Sequence, residues 1–152
     1  AHLCDAFYIG GTKNGTMFGE ALVITRPELT QGFFRMKKRM LAVMEKGWIQ
    51  GAQFLALFED DLYFKMGRQA NEMAARLQKG LKAKGWKLWV ESPTNQVFVI
   101  APNDKKPVLD EVCQYEDWCP YDEDHTVVRF VCCFHTTEAD VDGFLSVLPD
   151  LK

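Results

Sequence analysis

The sequence contains no apolar run approaching the roughly 20 residues that a helix needs to cross a bilayer. No basic segment leads into an apolar stretch in the manner of a secretory leader. A basic excess is missing as well: 18 Lys and Arg stand against 21 Asp and Glu, for a net charge of −3, the wrong sign for a phosphate backbone. Neither a membrane nor a nucleic-acid partner is therefore expected. Histidine is scarce, and His2, His125 and His135 have no partner evident in the sequence that would position one as a base. There is no cysteine framework. The five cysteines (Cys4, Cys113, Cys119, Cys132, Cys133) are an odd number at irregular spacing, and the adjacent Cys132 and Cys133 would point to opposite faces of a strand. Reduced thiols of a cytoplasmic protein are the expectation. Zinc calls for about four convergent ligands, and Cys113, Cys119 and His125 are too few, so no metal is expected. No internal repeat and no low-complexity segment occurs. What remains is the composition of an ordinary globular chain: 152 residues, 47% hydrophobic and 26% charged.

Along the chain the pattern changes period twice. Phe7-Tyr8-Ile9 and Ala21-Leu22-Val23-Ile24 are short apolar runs separated by Gly10-Gly11-Thr12-Lys13-Asn14-Gly15, which reads as strand, glycine turn, strand. Runs so uniformly apolar suit strands covered on both faces, as pieces of a larger sheet. Pro27 suits the opening of a helix, and residues 29–84 read as largely helical. Met40, Val43, Met44, Gly47 and Trp48 recur at helical spacing, then Gly51, Leu55 and Phe58. Glu59-Asp60-Asp61 marks a break, after which Leu62, Met66, Ala70, Met73, Leu77 and Leu81 resume the stripe as a packed face. From Trp86 the alternation becomes that of strands. Residues 86–90 and 96–101 form a hairpin about Ser92-Pro93-Thr94-Asn95, residues 107–115 a short helix, 116–124 a solvated acidic loop, and 127–134 a strand. Thr137 with Asp140 resembles a capping box opening a last helix. This second half reads β-β-α-β-α, with helices on one side of a small antiparallel sheet.

Two residues stand out chemically. Lys13, between glycines at a strand end, is placed to lose solvent, and desolvation favours the neutral amine that a Schiff-base lysine needs. The alternative is an exposed lysine in an ordinary turn. The spacing of a phosphate-binding Walker loop is absent. Arg129 interrupts the apolar strand Val127-Val128-Arg129-Phe130-Val131, where a guanidinium must find an anion. That anion is either a nearby carboxylate of the protein or the carboxylate of a ligand held by the planar fork. Lys37, Lys38 and Arg39 form a basic cluster that a solvated face would explain.

The segment from Asp5 to Ile24, with Gly10-Gly11-Thr12-Lys13 followed by Gly19-Glu20-Ala21, resembles the cofactor-lysine region of the threonine aldolase and β-eliminating lyase family. The resemblance continues through Gly51-Ala52-Gln53-Phe54, Asp61-Leu62-Tyr63-Phe64 and Ala70-Asn71-Glu72-Met73-Ala74. It ends with Val127-Val128-Arg129-Phe130-Val131 and His135-Thr136-Thr137-Glu138-Ala139-Asp140-Val141-Asp142, in the family's order. It implies an α/β fold of fold type I, the aspartate aminotransferase kind, of which this chain is the C-terminal part. Residues 1–27 would end the large cofactor-binding domain, 28–84 would be connecting helices, and 85–152 a small α+β domain. It implies that Lys13 binds pyridoxal phosphate covalently and that Arg129 holds the carboxylate of an amino acid substrate; Thr12, beside Lys13, is placed either to donate to the cofactor phosphate or to serve the turn alone. Lys38 is the placement for a basic residue that reaches a neighbouring active site in a homodimer or homotetramer. Trp48 departs from the arginine that the family often has after the Lys46-Gly47 position. The implied activity is cleavage of a β-hydroxy amino acid, threonine to glycine and acetaldehyde. β-Elimination on another amino acid and a non-catalytic α+β binding module are the alternatives. The family's ring-stacking aromatic, acidic partner of the pyridine nitrogen and most of its phosphate cup have no counterpart here, so the chain by itself is expected to be inactive.

Overall fold

A computed structural model describes residues 2–151 and divides the chain into two compact units, Ala1–Phe64 and Lys65–Lys152. In the first, β1 (Ala6–Ile9) and β2 (Ala21–Ile24) pair antiparallel, with Ala6 opposite Ile24 and Ile9 opposite Ala21. The cover on both faces that their composition predicts is not supplied within this chain. Neither strand has a buried residue, and Tyr8 and Leu22 are 73% and 54% exposed. A two-stranded ribbon has no second layer against which to bury a face.

A 3-10 turn at Pro27–Thr30 precedes α1 (Phe33–Arg39), and α2 spans Trp48–Phe58. The helical spacing of Met40, Val43 and Met44 predicts helix between them, but residues 40–47 are not helical. Leu41 takes the left-handed conformation (φ 57). Its N–H donates to Lys38 O at 3.1 Å and that of Ala42 to Lys37 O at 2.9 Å, the paired bonds of a helix-terminating motif. The break expected at Glu59-Asp60-Asp61 is present: Asp60 and Asp61 have φ of 52 and 58, a region aspartate tolerates. α3 (Leu62–Ala83) follows. Phe54 and Leu57 are buried, and Phe54, Phe58, Tyr63 and Phe64 form a chain of rings with centroids 5.3 to 6.1 Å apart.

The second unit has the larger core. β3 (Lys87–Val90) and β4 (Gln96–Pro102) form the expected hairpin, α4 spans Lys106–Val112, and β6 spans His125–Val131. Residues 116–124 are not simply a loop. Glu116–Pro120 is an edge strand, β5, giving a four-stranded antiparallel sheet in the order β3-β4-β6-β5. An edge strand carrying charge and ending in proline is how sheets discourage further pairing, and its exposed residues leave no apolar alternation to read. α5 (Glu138–Val147) opens on the expected box: Thr137 Oγ1 accepts from the Asp140 N–H at 3.2 Å, and Asp140 Oδ2 accepts from the Thr137 N–H at 2.8 Å.

Alternation on β4 sends Val97, Val99 and Ala101 into the core, each fully buried, against Met73, Ala74, Leu77 and Leu81 of α3, Leu109 of α4 and Val141 of α5. Each buried Val, Leu or Met among these contributes roughly 1.5–3 kcal/mol on burial. The Trp86 ring is buried too, and its indole N–H donates to Pro149 O at 2.9 Å. α3 and α5 meet at Gly80, where a Cβ would lie 2.1 Å from Leu145 Cδ1. Arg76 beside it donates through Nε and Nη2 to Asp142 at 2.8 and 2.7 Å. Among the described residues no helix is long and apolar enough to cross a membrane, and no three His, Cys, Asp or Glu gather where they could hold a metal.

Candidate active site

Lys13 lies in the turn between β1 and β2, and Gly11 fixes that turn. A Cβ on Gly11 would stand 2.4 Å from both the Gly19 carbonyl oxygen and Thr16 Oγ1, and 3.1 Å from Phe54 Cζ, so only glycine fits. The Gly11 N–H donates to Glu20 Oε1 at 3.2 Å, and its carbonyl accepts from the Asn14 and Thr16 N–H groups at 2.9 and 3.1 Å. Helical residues hold the turn from outside. Tyr63 Oη donates to Gly10 O at 2.9 Å, Asn14 Nδ2 donates to Tyr63 O at 3.0 Å, and Gln53 Oε1 accepts from the Met17 N–H at 2.8 Å. The loss of solvent expected for Lys13 is not found within this chain, where the side chains of Lys13 and Thr12 are exposed. What the turn supplies is a fixed backbone under a side chain that can reach outward.

Arg129 lies on β6, opposite Phe98 of β4 and Glu116 of β5. Its Nη2 pairs with Glu116 Oε2, its Nη1 donates to Gln96 Oε1 at 3.2 Å, and its guanidinium carbon is 5.2 Å from the centre of the Trp118 ring. Its Nε is buried with no hydrogen-bond partner. Of the two anions weighed for Arg129 from the sequence, the protein's own carboxylate is the one at the guanidinium in this chain. Lys38, exposed on α1, sets its ammonium 5.8 Å from the centre of the Phe34 ring. Among the described residues no hydrogen bond or ion pair joins it to the Lys13 turn. His125 does have a positioned partner, contrary to the sequence reading: its Nδ1 is 2.8 Å from Asp122 Oδ1. That bond holds the Asp122 carboxyl below its ordinary range, and the pair closes the β5–β6 turn.

No family model matches the chain, and no curated protein does. Among solved structures, a threonine aldolase from Leishmania major superposes on 96% of this chain with a TM-score of 0.90 and 37% identity. The chain belongs to the threonine aldolase family. It spans 43% of that relative's own length. An L-methionine decarboxylase from a Streptomyces species matches 57% of this chain and 18% of its own at 23% identity, with a TM-score of 0.40, too loose a likeness to carry an argument. The fold class is accordingly α/β, fold type I.

Within this chain, the sequence reading missed the support of the Lys13 turn. Gln53 and Tyr63 sit in two of the segments that carry the family resemblance, but nothing about an isolated glutamine or tyrosine says which distant backbone it will hold. Glu116 was missed for a different reason. It falls in the stretch read as solvated loop, and only the pairing of β5 with β6 brings it to Arg129.

Proposed function

We propose that this chain supplies the cofactor lysine and the carboxylate-binding arginine of a pyridoxal-phosphate-dependent carbon–carbon lyase. Its substrate would be a β-hydroxy amino acid, with threonine cleaved to glycine and acetaldehyde. The observation that carries the reading is the likeness to the Leishmania threonine aldolase across 96% of the chain. The residues present suit the cofactor. An exposed lysine stands on a turn whose backbone is locked by a glycine that no other residue can replace. Such a lysine reaches a group outside the turn without the turn giving way. When bound, pyridoxal phosphate supplies the electron sink for negative charge at the substrate's Cα.

Lys13 Nζ would be the amine that holds the cofactor covalently, and as a free amine it would take or return a proton near the substrate's Cα. Thr12 donates its hydroxyl to the cofactor phosphate. Arg129 grips the substrate carboxylate and thereby fixes the orientation about Cα, which a point charge does less well than a planar fork. Lys38 serves a neighbouring site in a homodimer or homotetramer. Five free cysteines suit a reducing compartment, and the cytoplasm is the proposed location. Borohydride reduction of the full-length protein that carries this chain, followed by peptide mapping by mass, is expected to find the reduced cofactor on Lys13, and no label in Lys13→Ala. Label on any other lysine overturns the assignment.

A further inference from the structure

The second unit carries a cavity of about 610 Å³ beside α5, lined by residues of that unit alone, and small-molecule sites are of this size. Phe130 and Val141 are buried in its walls and Phe144 partly so. Val112, Val131 and Val147 are 41%, 55% and 49% exposed, an apolar wall left open to solvent. Cys113 and Cys132 line the cavity too. Burial raises both thiols above their ordinary value, so neither brings charge near neutral pH.

Asp140 is the one charged residue of the lining, and among the described residues no lysine, arginine or histidine joins it there. Of the three carboxylates on α5, Arg76 engages Glu138 and Asp142, and among the described residues no cation pairs with Asp140. Its Oδ2 accepts from the Thr137 N–H and hydroxyl at 2.8 and 2.7 Å, and among the described residues Oδ1 has no hydrogen-bond partner. The bond from the Thr137 hydroxyl holds the carboxyl below its ordinary value, so the charge is present at neutral pH. A helix start by itself draws an anion, but here the capping carboxylate already occupies it and repels a second one. The charge left over calls for a cation.

Gly143 supplies room. It lies in mid-α5, where glycine costs helix stability relative to alanine. It lines the cavity, and a Cβ there would meet nothing within 4 Å. No neighbour among the described residues requires the glycine. Its missing side chain widens the space beside Asp140.

We propose that this cavity binds an apolar amine, its hydrocarbon or aromatic body against the valine and phenylalanine walls and its ammonium donating to Asp140 Oδ1. No residue of the cavity takes part in the lyase reaction proposed above, so the site stands or falls independently of that reading. No covalent step is involved.

The chain is titrated at fixed ionic strength with phenethylamine, phenethyl alcohol and phenylpropionate in turn, following the methyl signals of Val112, Val131 and Val147 by NMR. Phenethylamine is expected to shift all three and to bind at least about tenfold more tightly than phenylpropionate, the scale of one charge-assisted hydrogen bond. The alcohol, which keeps the ring and lacks the charge, is expected to bind several-fold more weakly than the amine. Asp140→Asn keeps an oxygen for the Thr137 N–H and removes the charge, and is expected to bring the amine down to the affinity of the alcohol. Gly143→Leu enters open space, and is expected to keep the fold and to abolish the shifts for amine and alcohol alike. Should Asp140→Asn weaken the cap enough to unfold α5, the comparison of amine with alcohol on the parent chain decides the role of charge. Equal affinity of amine and alcohol, or of amine and phenylpropionate, overturns the cationic class. An amine bound as tightly by Asp140→Asn as by the parent chain overturns Asp140 as its anchor. Shifts that persist in Gly143→Leu overturn the cavity as the site. Methyl signals that move with protein concentration alone put a second copy on this face and overturn the small-molecule occupant.

Discussion

Cys132 and Cys133 are neighbours whose thiols meet opposite conditions. Burial, with the adjacent Cys133 adding to it, pushes the Cys132 thiol up to about 11 from the ordinary 9.0. For Cys133 burial pushes the same way, but hydrogen bonds outweigh it and bring the thiol below its ordinary value. They come from the Thr136 hydroxyl and the backbone of Cys133, His135 and Thr136. The thiolate is the reactive form, so an alkylating reagent near neutral pH is expected to label Cys133 well before Cys132, as peptide mapping over time would show. Equal rates would mean that the strand end opens freely. The stability consequence follows from the raised value. Cys132 stays neutral in the folded chain while it ionises at its ordinary value in the unfolded one. Its contribution is complete below about pH 9 and is lost as pH rises toward about 11. Cys132→Ala is expected to flatten that alkaline loss in urea melts at a series of pH values. At this scale the sequence was informative about type and silent about partners. Arg129 was visible because a charge inside an apolar strand needs an explanation, whereas Glu116 and Gln96 became its partners only through strand register.

At the scale of elements, legibility followed the chemistry of the ends. The last helix could be read because Thr137 and Asp140 advertise their capping role in residue type and spacing, and the structure has both bonds. Thr137→Ala removes an acceptor from a first-turn N–H and is expected to lower stability by about 1 kcal/mol, measured as a shift of the urea midpoint with unchanged slope. No shift would mean that water replaces the hydroxyl at no cost. The end of α1 could not be read. The motif that stops it usually places glycine at the left-handed position, and here leucine takes it, so the apolar spacing ran on unbroken in the sequence. β5 was hidden for the converse reason: an edge strand buries too little to show alternation.

At the scale of the molecule the two units differ in how much each buries within this chain. Among the described residues Phe54, Leu57 and Thr16 are buried in the first, with Leu41, Met40, Trp48 and Leu55 largely exposed. The second has a contiguous core from Met73 to Leu148. Hydrogen exchange of this chain is expected to be early throughout residues 6–25 and slow at 97–100 and 127–131, since protection follows buried apolar contact. Uniform protection in a proven monomer would show that the first unit is as self-supporting as the second. The fold class was legible through the family resemblance, whereas the order of elements by itself gave only the small α+β sheet of the second half. The exposure of β1 and β2 could not, because an apolar run states that a strand wants cover without stating what provides it.

The meeting of α3 and α5 at Gly80 ties two distant positions to one volume. Any side chain at residue 80 requires Leu145 to shrink or move, since the space beyond the Gly80 Cα is already filled by the leucine's methyl groups. The two positions therefore share one allotment of space: bulk gained at 80 must be matched by bulk lost or displaced at 145, and changes at the two are expected not to add.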